Sequence, residues 1–172
     1  MFRPLRRIRQ ELPQDVCQRL LAENTHGVLA VLGDEDYPYA VPLNYVCRDN
    51  CLYMHCAREG HKIDALRKSP KASFCVVEAH EIDPKLLTTH YRSVIVFGTV
   101  RIIEDREEVR AAVSHLSLTL APSNPAGLEE ELRTLLDQTA MIEFRIEHCS
   151  GKEERTLAAA RRKAALATQE ER

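Results

Sequence analysis

The chain has 172 residues, of which 44% are hydrophobic and 29% are charged, and these values predict one globular domain. The formal net charge of −2 provides no basic field for nucleic acid. The arginines near the N-terminus (3, 6, 7 and 9) have no interleaved aromatic residues, so we interpret them as a solvated arm or a subunit contact. We therefore expect no nucleic-acid partner.

The chain has neither the apolar N-terminal segment of a secretory signal nor an apolar run of membrane-spanning length, so we expect no membrane partner. Six cysteines without an export signal favour free thiols in the cytoplasm.

The first half of the chain alternates a helix, three apolar runs of strand length and a second helix. The predicted elements are a helix over 14–24, strands over 27–32, 40–47 and 51–55, and a short helix over 63–68. A tight turn is predicted at 48–50, between the last two strands. In the last strand, alternation places Cys51, Tyr53 and His55 on one face and Leu52 and Met54 on the other.

The second half contains the strongest strand signal, Arg92 to Ile103, in which Gly98 predicts a bend, a bulge or a close backbone approach. Asp105 is suited to cap the helix that follows. The other predictions are strands over 72–77 and 140–147, helices over 107–120 and 127–136, and an irregular, mobile loop over 79–90.

The predicted order contains about six strands without a regular βαβ alternation. This pattern favours an antiparallel β-barrel with peripheral helices over a doubly wound parallel sheet. We divide the chain into an N-terminal arm (1–11), a barrel domain (12–150) and a charged tail (151–172).

The turn from Ala57 to Lys62 is basic, contains Gly60 and opens onto a helix, which is typical of an anion site. A lysine in the first turn of a helix is disfavoured by the helix dipole, so Lys62 indicates either a bound anion or simple solvation. His55 alone is typical of a half-buried strand histidine. Together with His61 it flanks the anion-suited turn, which makes both histidines candidates for a site.

Pro42 and Asn44 interrupt an apolar strand, which indicates either an edge strand or a backbone whose polar groups face a ligand. All five tyrosines lie between Tyr37 and Tyr91, where they offer stacking partners to a flat ring system.

The cysteines and histidines between Cys47 and His61 invite a zinc interpretation, but they form no CxxC pair and have no partner pair later in the chain. We interpret the cysteines as small buried hydrophobic residues and predict no metal site.

Three blocks in this order and spacing carry a family resemblance: GVLAVLGDEDYPYAVPLNYV, LYMHCAREGHKIDAL and YRSVIVFG. From Leu12 to Lys152 the chain resembles the flavin-nucleotide-binding split barrels related to pyridoxamine 5′-phosphate oxidase. Within them it is most similar to the subgroup that includes the nitroimidazole-resistance (Nim) proteins. The resemblance implies a six-stranded antiparallel split β-barrel and a homodimer with two FMN sites at the subunit interface.

The resemblance also implies a set of cofactor-binding residues. His55 lies beside the flavin and is the implied catalytic residue, either as a proton donor or by positioning the substrate. His61 and Lys62 match the basic pair that holds the FMN phosphate. The implied contacts to the ring and to the rest of the cofactor are Val41, Pro42, Leu43, Asn44, Tyr45, Arg92 and Ser93.

The chain departs from the oxidase at two cofactor-binding positions and in the substrate-binding pattern. The oxidase has an arginine at the position of His61 and a glutamine at that of Ser93. Its C-terminal Trp and Arg pattern is missing here, because the chain has no tryptophan. We therefore do not expect the protein to be a vitamin B6 oxidase.

Three hypotheses follow from the resemblance. The first is an FMN-dependent oxidoreductase that passes electrons from NAD(P)H or another donor to a small acceptor such as a nitroaromatic compound. The second is a flavin carrier or sensor without turnover. The third is a haem-binding split barrel with His55 or His61 as axial ligand.

Overall fold

The computed structural model describes residues 2–170, and within them seven antiparallel strands form one curled sheet surrounded by five helices. The strands are β1 (His26–Leu32), β2 (Pro38–Asn44), β3 (Val46–Arg48), β4 (Cys51–Ala57), β5 (Lys71–Asp83), β6 (Thr88–Ile103) and β7 (Thr139–Glu153). The helices are α1 (Gln14–Glu23), α2 (His61–Lys68), α3 (Arg106–Leu120), α4 (Pro125–Leu135) and α5 (Arg155–Glu170). Among residues 2–170, every helix is too short or too polar to span a bilayer.

The strand order is β2-β1-β5-β6-β7-β4-β3, so β2 and β3 are the two edges of the sheet. β2 and β3 are consecutive in the chain, and only Tyr45 separates them. The sheet must therefore curl until its two edges lie side by side. The predicted antiparallel barrel with peripheral helices is confirmed. The run predicted as one strand over 40–47 is two strands on opposite edges, which is why the described chain has seven strands rather than six.

Alternation of side chains places one face of the sheet inside the barrel. Leu29, Phe74, Val96 and Phe144 are fully buried there, and α1 and α2 close the barrel with their own apolar faces. A second cluster lies outside the barrel, where α3 and α4 cover one part of the sheet; Met141 is buried in it. The predicted alternation in β4 is confirmed, because Leu52 and Met54 are buried and His55 is exposed.

Gly98 lies where β6 meets a β-bulge, at a register shift between Phe97 and Gly98. A Cβ atom at this position would lie 2.0 Å from the carbonyl oxygen of Arg145 on β7. The close backbone approach predicted for Gly98 is therefore confirmed. The predicted cap is confirmed as well, because Asp105 Oδ1 accepts a hydrogen bond of 3.0 Å from the backbone N–H of Glu108.

The mobile loop predicted over 79–90 is wrong. β5 and β6 continue as a paired hairpin to Asp83 and Thr88, and the Asp83 carboxylate closes the turn by accepting the N–H groups of Lys85 and Leu86. The polar side chains of this segment are typical of a loop, but its backbone N–H and C=O groups form hydrogen bonds with β6. β7 runs to Glu153, beyond the predicted boundary at 150, and α5 occupies the predicted tail.

Candidate functional site

The candidate site begins where β4 ends and the chain turns into α2. Gly60 has a φ of +113°, a backbone conformation that favours glycine because it carries no Cβ atom. The carbonyl oxygen of Gly60 accepts the N–H groups of Ile63 and Asp64, which starts the helix. Ile63, Ala65 and Leu66 bury one face of α2 against the barrel and so fix the position of its N-terminus.

The N-terminus of α2 has free donors. No side chain caps it, and within the described chain the backbone N–H groups of His61 and Lys62 have no hydrogen-bond acceptor. The half-buried Lys62 forms no ion pair with any described residue. Burial raises the pKa of the Cys56 thiol, and the positive charge of Lys62 partly offsets that rise. These groups together suit an anion such as a phosphate.

His61 is already engaged by its own chain. Its Nε2 atom lies 3.4 Å from Oδ2 of Asp34, and its ring stacks on Tyr39 with centroids 4.1 Å apart and planes at 11°. Asp34 belongs to the connection between β1 and β2, and Tyr39 belongs to β2, so His61 holds α2 against the start of β2. Because Asp34 competes with any anion for the imidazole, Lys62 and the backbone N–H groups are the stronger anion donors.

His55 and β2 border the same region of the barrel. The His55 side chain is exposed on the outer face of β4, opposite Met141, and makes no hydrogen bond or ion pair within the described chain. β2 is an edge strand that pairs with β1 on one side, so part of its backbone is free on the other. Val41 and Leu43 are half-buried towards the barrel, whereas Pro42 and Asn44 are exposed.

The side chain of Tyr45 is part of the hydrophobic core. It is fully buried, packs edge-on against Phe74 and donates a hydrogen bond of 2.8 Å from its hydroxyl group to the carbonyl oxygen of Leu21. Asn44 donates from its side-chain amide to the carbonyl oxygen of Thr25. In one chain, Tyr45 therefore offers no ring surface to a ligand.

Arg92 and Ser93 lie at the opposite end of the sheet. Nε of Arg92 lies 3.4 Å from Oε2 of Glu153, and its Nη1 atom lies 3.4 Å from Oε2 of Glu78. Ser93 faces outward between Val77 and Lys152 on the neighbouring strands.

The strand register measures how far apart the two groups of predicted residues lie. Met141 pairs with both His55 and Ile103, so His55 is level with the end of β6. Arg92 is toward the other end of the same strand, roughly 35 Å away as measured along the strand at the usual rise per residue. Within one chain, His55, His61 and Lys62 therefore form one group, and Arg92 and Ser93 form another.

An apolar surface, which we call the outer patch, covers the outward face of β1, β5 and β6. Its members are Val28, Val77, Ile95 and Phe97, with side chains 38 to 47% exposed. They are adjacent across the sheet, since Cys75 pairs with both Val28 and Ile95. Ser93 lies on the same face. A contiguous apolar sheet face is typical of a surface that a partner covers.

Residues 13–153 match the family model described as pyridoxamine 5′-phosphate oxidase. The chain belongs to this family. The match covers the sheet and α1 to α4, and it ends at Glu153, the last residue of β7. No curated protein matches the chain in sequence.

Solved structures support the same fold for this member of the pyridoxamine 5′-phosphate oxidase family. An FAD-binding protein from Mesorhizobium loti is 27% identical over 84% of this chain and 97% of that one, with a TM-score of 0.65. A 5-nitroimidazole antibiotic resistance protein from Bacteroides thetaiotaomicron is 20% identical over 83% and 86%, with a TM-score of 0.67. An FAD- and haem-binding protein from Mycobacterium smegmatis is 21% identical over 86% and 74%, with a TM-score of 0.71.

Three carboxylates around the site were not predicted. Asp34 binds His61, and Glu78 and Glu153 bind Arg92. The acidic turn that contains Asp34 is visible in the sequence, but its partner is provided by a helix that follows three strands later. Nothing local indicates that Glu153 is fully buried between Arg92 and Arg161.

Proposed function

We propose that this protein is an FMN-binding oxidoreductase that transfers electrons from NAD(P)H or a similar donor to a small acceptor, such as a nitroaromatic compound. The observation that carries the proposal is the set of unpaired donors at the start of α2, next to the free edge of β2. Lys62 and the N–H groups of residues 61 and 62 suit the phosphate of a flavin nucleotide. The family and the flavin-binding relatives support this ligand class.

Bound FMN would supply the redox chemistry, since it accepts electrons from the donor and passes them to the acceptor. The residues of the chain then have three tasks. Lys62 holds the phosphate, the backbone of Val41 to Asn44 along the edge strand lies against the ring, and the exposed His55 donates a proton to the reduced acceptor or positions it.

We further propose a homodimer with the cofactor at the subunit interface. The outer patch supplies an apolar surface for a second copy to cover. The distance between Lys62 and Ser93 gives an independent reason, because one chain cannot bring both residues to the same FMN molecule. In a two-fold dimer, the Lys62 end of one subunit can meet the Ser93 end of the other. The cytoplasmic location stays a prediction.

The test of cofactor binding is an absorption spectrum of the purified protein, followed by identification of any pigment released on denaturation. We expect flavin absorbance and released FMN. A colourless protein that does not take up added FMN would refute the proposal. Released FAD would keep the flavin site but replace the cofactor.

Mixing two inactive variants tests the shared site. Lys62→Ala damages one half of each interface site, and Ser93→Asp places a negative charge in the other half. Each homodimer then has two damaged sites, whereas a mixed dimer has one intact site. We expect the mixed protein to regain part of the flavin binding. If both variants remain dimeric by gel filtration and mixing restores nothing, the interface site is wrong.

Turnover separates the oxidoreductase from a flavin carrier, because a carrier binds FMN without steady-state oxidation of NADH or NADPH with any acceptor. Haem is the alternative cofactor, because the exposed imidazole of His55 could serve as an axial ligand. The haem-binding relative from Mycobacterium smegmatis supports a test of this alternative. A Soret band in place of flavin absorbance, lost in His55→Ala, would establish haem as the cofactor.

A further inference from the structure

The N-terminal arm (residues 2–11) packs against α5 and borders a cleft of about 640 Å³, a size typical of small-molecule sites. Five arginines line it: Arg6, Arg7 and Arg9 from the arm, and Arg155 and Arg162 from α5. We call this the arginine cleft. The residues proposed to bind the flavin do not line it.

The positive charge of the arginine cleft is not neutralised by the described chain. No carboxylate lines the cleft, and none of the five guanidinium groups pairs with a carboxylate of residues 2–170. The neighbouring Arg161 differs, because it lies 2.7 Å from Glu153 and also donates to the carbonyl oxygen of Glu11. Arg162 donates a hydrogen bond to the carbonyl oxygen of Arg9, which carries no net charge. Five guanidinium groups without a carboxylate partner among the described residues therefore repel each other around one space, and a bound anion relieves that repulsion.

Gln10 gives a second, independent indication of a ligand. Gln10 is one of the residues that line the cleft and is only 7% exposed, and its side-chain carbonyl oxygen is buried without a hydrogen-bond partner in the described chain. Buried polar groups in proteins are normally hydrogen-bonded. Rotation about the last side-chain bond can present either the oxygen or the nitrogen of this amide to a bound molecule.

Ile8 adds an apolar surface to the same cleft and is 61% exposed. The cleft therefore offers guanidinium groups for an oxyanion, an amide for a polar group and an apolar side chain for a flat ring. Guanidinium groups bind phosphate oxygens in a bidentate manner and also stack on bases.

We infer that the arginine cleft binds the phosphates of a nucleotide, with the amide of Gln10 and the side chain of Ile8 beside its nucleoside part. Adenosine diphosphate is the suitable probe, because it is the portion common to FAD and the nicotinamide dinucleotides. The inference does not depend on the proposed flavin site. α5 follows β7 at the Arg92 end of the sheet, whereas Lys62 lies at the other end, so either site can fail without the other.

Calorimetric titration of the purified protein with ADP, pyrophosphate and a single-stranded RNA oligonucleotide tests the inference. We expect saturable ADP binding that weakens as salt increases. The double variant Arg7→Glu with Arg155→Glu should weaken it at least tenfold, since charge-assisted hydrogen bonds are lost and like charges are introduced. Arg110→Glu on α3 makes the same substitution once, on an exposed residue away from the cleft, and should leave ADP binding unchanged.

Lys62→Ala provides the matched test of independence and should leave ADP binding at the cleft intact. ADP binding that is absent, or that survives the double variant, would overturn the inference. Pyrophosphate binding as tight as ADP binding would overturn the nucleoside contacts of Gln10 and Ile8. Binding of the oligonucleotide without ADP would instead make the cleft a nucleic-acid surface. Thermal unfolding shows that each variant is folded.

Discussion

Replacing Lys62 with alanine should weaken FMN binding about 10- to 150-fold, the equivalent of one charge-assisted hydrogen bond of about 1.5–3 kcal/mol. This value follows from the environment of the side chain. Lys62 is half-buried and has no internal ion pair in the described chain, so its removal breaks no contact with a carboxylate. The loss should therefore appear in the affinity for the cofactor rather than in the stability of the fold.

His61→Ala should have a smaller effect on affinity, about fivefold or less, because its imidazole already binds Asp34 at the surface. Its main effect should be on stability, since the stack on Tyr39 is lost as well. Lys68→Ala is the matched control: it removes the same charge from the other end of α2, where the helix dipole favours a cation.

The assay is a titration of flavin-free protein with FMN and with riboflavin, which lacks the phosphate, followed by flavin fluorescence. Lys62→Ala should reduce the affinity for FMN and leave that for riboflavin nearly unchanged. Equal losses for the two flavins would show that Lys62 does not bind the phosphate. So would a loss no larger than that of Lys68→Ala.

Three further substitutions test the fold around the site. Gly98→Ala should destabilise the protein by at least about 1–3 kcal/mol, the usual cost of overpacking, because the new Cβ meets the backbone oxygen of Arg145; chemical unfolding measures this. Tyr45→Phe should cost about 1 kcal/mol by removing the hydrogen bond to Leu21 and should leave FMN affinity unchanged; a large loss of affinity would place Tyr45 in the site. Burial raises the pKa of Glu154, but hydrogen bonds from the start of α5 outweigh it and lower the pKa below its ordinary value. The stabilisation is present above about pH 4.3 and is lost as the pH falls through the lowered pKa. Thermal unfolding between pH 7 and 3 should show it, and Glu154→Gln should make the profile flatter.

Local signals in the sequence were sufficient where one residue determines its own surroundings. The bulge at Gly98, the cap at Asp105 and the turn at Gly60 were predicted because each depends on residues that are close in the sequence. The helix start with Lys62 in its first turn was predicted in the same way, and its role as an anion site stays a prediction.

Contacts between distant parts of the chain were not predictable. The segment 79–90 is polar and resembles a loop, and only pairing with β6 makes it a strand. Tyr45 lies within the run predicted as one strand over 40–47, and nothing next to it shows that the chain changes from one edge of the sheet to the other there. Arg92 appears free in the sequence, but Glu153 contacts it from 61 positions away.

The single residue between β2 and β3 has a consequence for folding. β1–β2 and β3–β4 are two hairpins of neighbouring strands, and Tyr45 links them directly, so both can form early and together. β5, β6 and β7 must then enter between β1 and β4 to complete the curl. The final pairing, β4 with β7, includes a contact between residues 84 positions apart, Cys56 and Ala140. Because such distant closure is slow, we expect this pairing to limit the folding rate, and the α2 end of the sheet to be the last part to become ordered.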